Sequence, residues 1–204
     1  MTNYEYIIAS LPVLDKDSRS ITVRDCETVL EEILSQATAS DKALIEFLQR
    51  GSDPAALEDE AFWKEALGHK DAFIRRYFTW DLCERNAKVR HINAALGRDA
   101  GQGLMSVEGF AQDDALASSL DALLATEGLL EREKAIDDAR WEMIEDAVVM
   151  EVFSIDVVLS FIARMEIVER WLKLDRQKGQ DMFRSLVNEV RGTFGGVKFE
   201  DKKK

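Results

Sequence analysis

Residues 127–193 read EGLLEREKAIDDARWEMIEDAVVMEVFSIDVVLSFIARMEIVERWLKLDRQKGQDMFRSLVNEVRGT, and this stretch decides the fold. It contains no proline and carries Arg140-Trp141 and Arg170-Trp171 among alternating charged and apolar residues. Proline costs a helix interior about 3 kcal/mol, so a proline-free run of this length is open to long helices. Leu129, Ile136, Met143 and Met150 recur at seven-residue intervals, joined by Ala139, Ile144 and Ala147. Such a stripe is the core or pairing face of an amphipathic helix beginning near Glu127. After Ser154, a residue suited to capping, Ile155, Val158, Leu159, Ile162 and Met165 make a second stripe. Asp175 opens a third, through Met182, Phe183, Leu186, Val187 and Val190. Glu166–Arg170 and Glu169–Lys173 have the acid-before-base i, i+4 order, adding about 0.2–0.5 kcal/mol per pair.

Upstream the same period continues. Thr22 can cap a helix carrying Val23, Cys26, Val29, Leu30 and Ile33, and a second follows Ser40 and stops at Gly51. Pro54 suits the first turn of a helix running through Phe62, Trp63 and Leu67 to Gly68. From Asp71 to Leu96, apolar residues repeat with helical spacing over about seven turns. Tyr4 to Leu11, aromatic and β-branched, predicts a short extended arm ending at Pro12. Gly97 to Gly109 has no periodicity and reads as a flexible linker; its glycine spacing fits neither a dinucleotide fingerprint nor a P-loop. Asp113 to Leu124 is a short helix beyond it, and the tail from Thr193 is expected to be extended. The expectation is an all-α protein: an elongated bundle of about six to seven helices with a short N-terminal extended segment. It forms one domain over 1–204, divisible into sub-bundles 1–97 and 110–193 joined by linker 97–109.

Composition narrows the function. With 39 acidic against 27 basic residues the net charge is −12 and the pI about 4.7. That balance repels phosphate backbones and anionic membranes, so no nucleic-acid partner and no direct membrane contact are expected. No apolar run approaches the roughly 20 residues that span a bilayer. Cys26 and Cys83 are far apart and fit a reducing cytosol. A soluble, cytoplasmic chain follows, held beside a membrane, if at all, by another protein.

Reaction chemistry is absent from the pattern. His69 and His91 supply no metal-binding spacing, no nucleophile elbow exists, and the carboxylates read as helix surface. No enzyme activity, metal or cofactor is expected. The residues left to explain are polar or aromatic groups on helices. Asp137, Arg140 and Trp141, and Glu169, Arg170 and Trp171, each set a guanidinium beside an indole, with a carboxylate able to hold the arginine. Arg85-Asn86 poses the same question earlier, since asparagine inside a helix suggests a specific hydrogen bond. These eight are either inter-helix clamps or partner contacts, the clamp being the simpler reading.

Tyr6-Ile-Ile-Ala-Ser-Leu-Pro12, Glu84-Arg85-Asn86, Ile136-Asp-Asp-Ala-Arg-Trp141, Phe153-Ser-Ile-Asp156 and Val168-Glu-Arg-Trp171 with Leu174-Asp175 and Gly179 together resemble a bacterial family that accompanies V/A-type ATP synthase subunits. That family is similar to the stalk component lettered C in these enzymes and d in the vacuolar one. The resemblance implies an all-helical, non-catalytic central-stalk subunit linking the rotary shaft to the membrane proteolipid ring, with those subunits as partners and a peripheral place on the inner membrane face. The alternative is a free-standing acidic helical adaptor or regulator.

Overall fold

Aspartate and threonine start most of the helices. In the computed structural model, which describes residues 4–16, 21–111 and 113–174 with isolated positions 184 and 187, α1 spans Tyr4–Ser10 and α2 spans Val23–Gln36. Thr22 and Asp25 form a reciprocal capping box on α2, and Thr38 and Asp41 repeat it on α3, Ala39–Gln49. Each box satisfies two amide donors that the first turn leaves open. A 3₁₀ turn, Arg50–Ser52, leads to α4, Pro54–Leu57, and α5, Glu60–Leu67, capped by Asp53 and Asp59. Asp71 caps α6, Ala72–Ala95, and Asp113 caps α7, Asp114–Leu124. The long stretch quoted above supplies α8, Leu129–Ala147, and α9, Ile155–Lys173. The described residues are all-helical, with no strand among them.

Helices α6 and α9 are the hubs. Helix α9 packs against α1, α2, α3, α6 and α8, while α6 packs against α5, α7, α8 and α9. The main core runs from Ile7 in α1 to Val168 in α9 and draws on both sides of the glycine-rich stretch. At its centre Phe47, Phe62, Trp63, Tyr77 and Phe78 pack with ring centroids 5.2–6.2 Å apart, mostly edge to face. A smaller core joins Trp80, Cys83 and Ala87 of α6 to Leu120 and Leu124 of α7 and Ile136 of α8. Being covered on most sides, α6 buries twelve of its 24 residues, including the polar Asp81, Glu84, Asn86 and Asn93.

Several local expectations are corrected. Tyr4–Ser10 is helical, not extended, because Ile7 is buried and Ile8 and Leu11 pack against the core at helical spacing. Asp59 caps a new helix, so the expected 54–67 helix is two. Residues 97–109 do not hang free: Asn86 and Asn93 tie Met105 and Gln102 down, and Val107 is buried. Ser154 makes no capping bond, and its buried hydroxyl has no hydrogen-bond partner among the described residues. The heptad stripe holds only in its middle, since Leu129 and Met150 are exposed. The helix expected from Asp175, apart from isolated positions 184 and 187, the tail from Thr193 and Gly179 lie outside the described residues.

Candidate functional site

The buried charges of α6 find their partners on α8. Asp81 and Glu84 point at α8, where Arg140 extends its guanidinium to meet both. Nη2 of Arg140 donates to Asp81 Oδ1 at 2.7 Å and to Glu84 Oε2. Its planar group lies over Trp80, 4.9 Å from the ring centroid, and its other terminal nitrogen reaches the Tyr77 hydroxyl at 3.5 Å. The second oxygen of Asp81 accepts from Arg85 Nε at 2.7 Å. Lys88 pairs with Glu84 at 2.9 Å and with Glu133 of α8 at 3.4 Å.

A second junction joins α8 to α9. Asp137 Oδ2 accepts from the Trp171 indole at 2.6 Å and from Arg170 Nη2, while Arg170 Nη1 donates to Glu133 at 3.3 Å. Three helices are thus joined through one continuous set of ion pairs. Asp81, Glu84, Lys88, Asp137, Arg140 and Arg170, with Glu166, Glu169 and Lys173 of α9, line a cleft of about 690 Å³ that reaches the 3₁₀ turn at Gly51.

Electrostatics explain the protonation states. Burial opposes the Arg140 charge, but Tyr77, Glu84 and Asp81 together outweigh it and hold the guanidinium protonated. Burial pushes Glu84 up, yet Arg140 and Lys88 more than offset it and leave the carboxyl below its ordinary value. Burial raises the Tyr77 phenol strongly, against the pull of Arg140. Glu166 is the exception. Burial carries it up to about 7, Arg140 pulls it down, and Glu169 and Asp81 push it further up. Its carboxyl has no hydrogen-bond partner among the described residues, and neither does Arg140 Nε.

The eight residues singled out in sequence divide as follows. Arg140 clamps α8 to α6, and Asp137, Arg170 and Trp171 clamp α8 to α9. Asn86 clasps a loop, its amide donating to and accepting from Met105 at 2.9 Å each. Arg85 pairs within its own helix and lies over Trp63. Glu169 likewise pairs locally, with Lys173 at 2.7 Å. Trp141 is buried with Arg164 over its ring at 5.3 Å, so Arg140 and Trp141 serve different neighbours. The expected Glu166–Arg170 pair does not form, because Arg170 turns to α8.

Sequence reasoning missed Asp81, Glu84, Lys88, Glu133 and Glu166. A signal existed for the first three: Asp81, Glu84, Arg85 and Lys88 fall at i, i+3, i+4 and i+7, acids and bases together on one face of the helix. Among the described residues, no group of three or more His, Cys, Asp or Glu is placed to hold a metal, and no helix is long and apolar enough to cross a membrane. Chemically, the arrangement joins helices: its carboxylates, apart from Glu166, face cations.

Residues 116–193 match a family described as "Protein of unknown function (DUF2764)". The match covers α8 and α9, and so both sides of the α8–α9 junction and the α8 side of the α6–α8 junction. No curated protein and no solved structure matches the chain.

Proposed function

We propose that this chain is a non-catalytic coupling piece, the central-stalk subunit of a V/A-type ATPase that joins the rotary shaft to the proteolipid ring. The observation that carries the reading is the α6–α8–α9 junction, where Arg140 holds two carboxylates of α6 while Asp137 holds a guanidinium and an indole of α9. A part that transmits torque by its outline needs helices that do not slide past one another. Directional, buried ion pairs resist sliding better than an apolar seam, because a shifted register leaves charges unpaired. The ordered motifs from Tyr6 to Trp171 that resemble the stalk-associated family support the same reading.

On this reading the chain is cytoplasmic, sits peripherally on the inner membrane face, and reaches the membrane through the ring. Purification of the membrane ATPase from the native cell should bring this polypeptide down in fixed proportion to the shaft subunits. An intact, coupled ATPase lacking it would overturn the assignment. A second reading, a free-standing acidic adaptor, also needs a partner surface, and the exposed apolar residues of the α8–α9 turn are compatible with one. A stable complex with soluble proteins unrelated to the rotor would mark that outcome.

A further inference from the structure

The turn between α8 and α9 exposes the apolar residues that a soluble protein ordinarily covers. Val149 is 75% exposed, Met150 88%, Val152 64% and Phe153 53%. Four large apolar side chains within five residues form a patch, whereas scattered exposed apolar residues would call for no explanation. The turn is held in shape: the Val148 amide bonds to Glu145 O at 3.2 Å, and the Glu151 amide to Val148 O at 2.9 Å. Its base is anchored because Ala147, Val148 and Ile155 pack against the core. A preshaped apolar projection loses little freedom on docking.

The charge around it selects the occupant. From Trp141 to Ala163 there is no lysine or arginine, while Glu142, Glu145, Asp146, Glu151 and Asp156 all fall in that span. Glu142 pairs with Lys16 and Glu145 with Arg164, but Asp146 and Glu151 have no ion-pair partner among the described residues. Asp71 at the start of α6 adds a further carboxyl, near enough to raise Asp156. Burial, Asp71 and Glu151 raise Asp156 to about 6, a sign of acids crowded together without a compensating cation. An anionic bilayer would be repelled by this rim, and so would a second copy of the same acidic tip.

We infer that the α8–α9 turn is a docking tip that inserts Val149, Met150, Val152 and Phe153 into an apolar pocket of a partner protein whose rim carries lysine or arginine. Complementary charge would steer the encounter and the apolar tip would supply the affinity. This inference stands apart from the stalk reading. A partner outside the rotor would refute the stalk assignment and leave the tip intact.

The experiment places a photo-crosslinking amino acid at Met150 in the full chain, expressed in its native host. The expected product is a discrete protein adduct whose cross-linked peptide has lysine or arginine flanking apolar residues. Its yield should fall about tenfold or more when Asp146→Lys and Glu151→Lys are added. Both positions are exposed, and circular dichroism would confirm that the variant folds. In parallel, the purified chain should not sediment with vesicles of phosphatidylcholine and phosphatidylglycerol. An adduct insensitive to the charge reversal, adducts only with lipid or a second copy of this chain, no adduct at all, or sedimentation with the vesicles would overturn the inference.

Discussion

Arg140 of α8 reaches Asp81 of α6 at 2.7 Å with less than a fifth of either side chain exposed, and the same nitrogen also serves Glu84. A buried pair of this sort adds little net stability as a whole, because desolvation offsets most of the attraction, yet removing one member leaves a charge uncompensated. Arg140→Met is therefore expected to cost about 3–5 kcal/mol in urea unfolding. Arg140→Lys should restore only part of that, since an ammonium cannot lie flat on Trp80 while serving two carboxylates. The combined replacement Asp81→Leu, Glu84→Met and Arg140→Met should recover most of the loss. If the single and triple variants were equally unstable, the ion pairs would not be the cause.

Acid should loosen the same junction. Glu84 sits below its ordinary pKa in the fold, so its contribution is present above the unfolded value of about 4.5 and fades as pH falls through the folded one. Glu84→Gln should therefore be less stable than the parent at neutral pH and converge with it in acid. Unfolding curves taken across that range would check the convergence.

Asn86 holds the glycine-rich stretch by two bonds, and an asparagine that both gives and receives cannot be replaced by an apolar isostere without stranding Met105 N–H and C=O. Asn86→Ala is expected to cost about 1–3 kcal/mol. Hydrogen exchange at Met105 should accelerate well before exchange in α6 does. Uniform acceleration across the molecule would instead place Asn86 in the global core.

The helices were legible in sequence because their signals are local. Thr22, Pro54 and Asp71 mark true starts, and the spacing of Val158, Leu159, Ile162 and Met165 marks a true buried face. Tyr4–Ser10 departs from its expected extended form because aromatic and β-branched residues favour strands only where a neighbouring strand exists, and here α1 packs against α9 with Ile7 buried. The clamps were half legible. Arg140, Asp137, Arg170 and Trp171 stand out by residue type, but their partners are chosen by helix packing. Asp81 lies 59 residues from the arginine it binds, and no periodicity within one helix shows that. Glu166 was beyond reach for the same reason, since its surroundings are assembled from α6, α8 and α9.

Asp137 concentrates two donors on one oxygen, the Trp171 indole and the Arg170 guanidinium. Asp137→Asn keeps the shape but removes the charge and turns half of the head group into a donor. A loss of about 1.5–3 kcal/mol is expected, the range for bonds to charged groups. The environment of Trp171 changes at the same time, so the fluorescence spectrum of the folded variant should shift. An unchanged spectrum with unchanged stability would mean that the indole bond is incidental.

Glu166 governs the rise from acid to neutral pH. Its folded pKa of about 7 lies above the ordinary 4.5, so below 4.5 the carboxyl is neutral in both states and the fold is unaffected. As pH rises from there the unfolded chain ionises first, and stability declines until about pH 7, by up to about 3 kcal/mol. Glu166→Gln cannot ionise. It should match the parent near pH 3.5 and exceed it near pH 8, with urea unfolding at the two pH values giving the difference. Asp156, raised to about 6 by burial and by Asp71 and Glu151, leaves a smaller decline of the same sign in the variant. Adding Asp156→Asn should flatten it. Parallel parent and Glu166→Gln profiles would show that the carboxyl is hydrated in the cleft and carries no charge penalty.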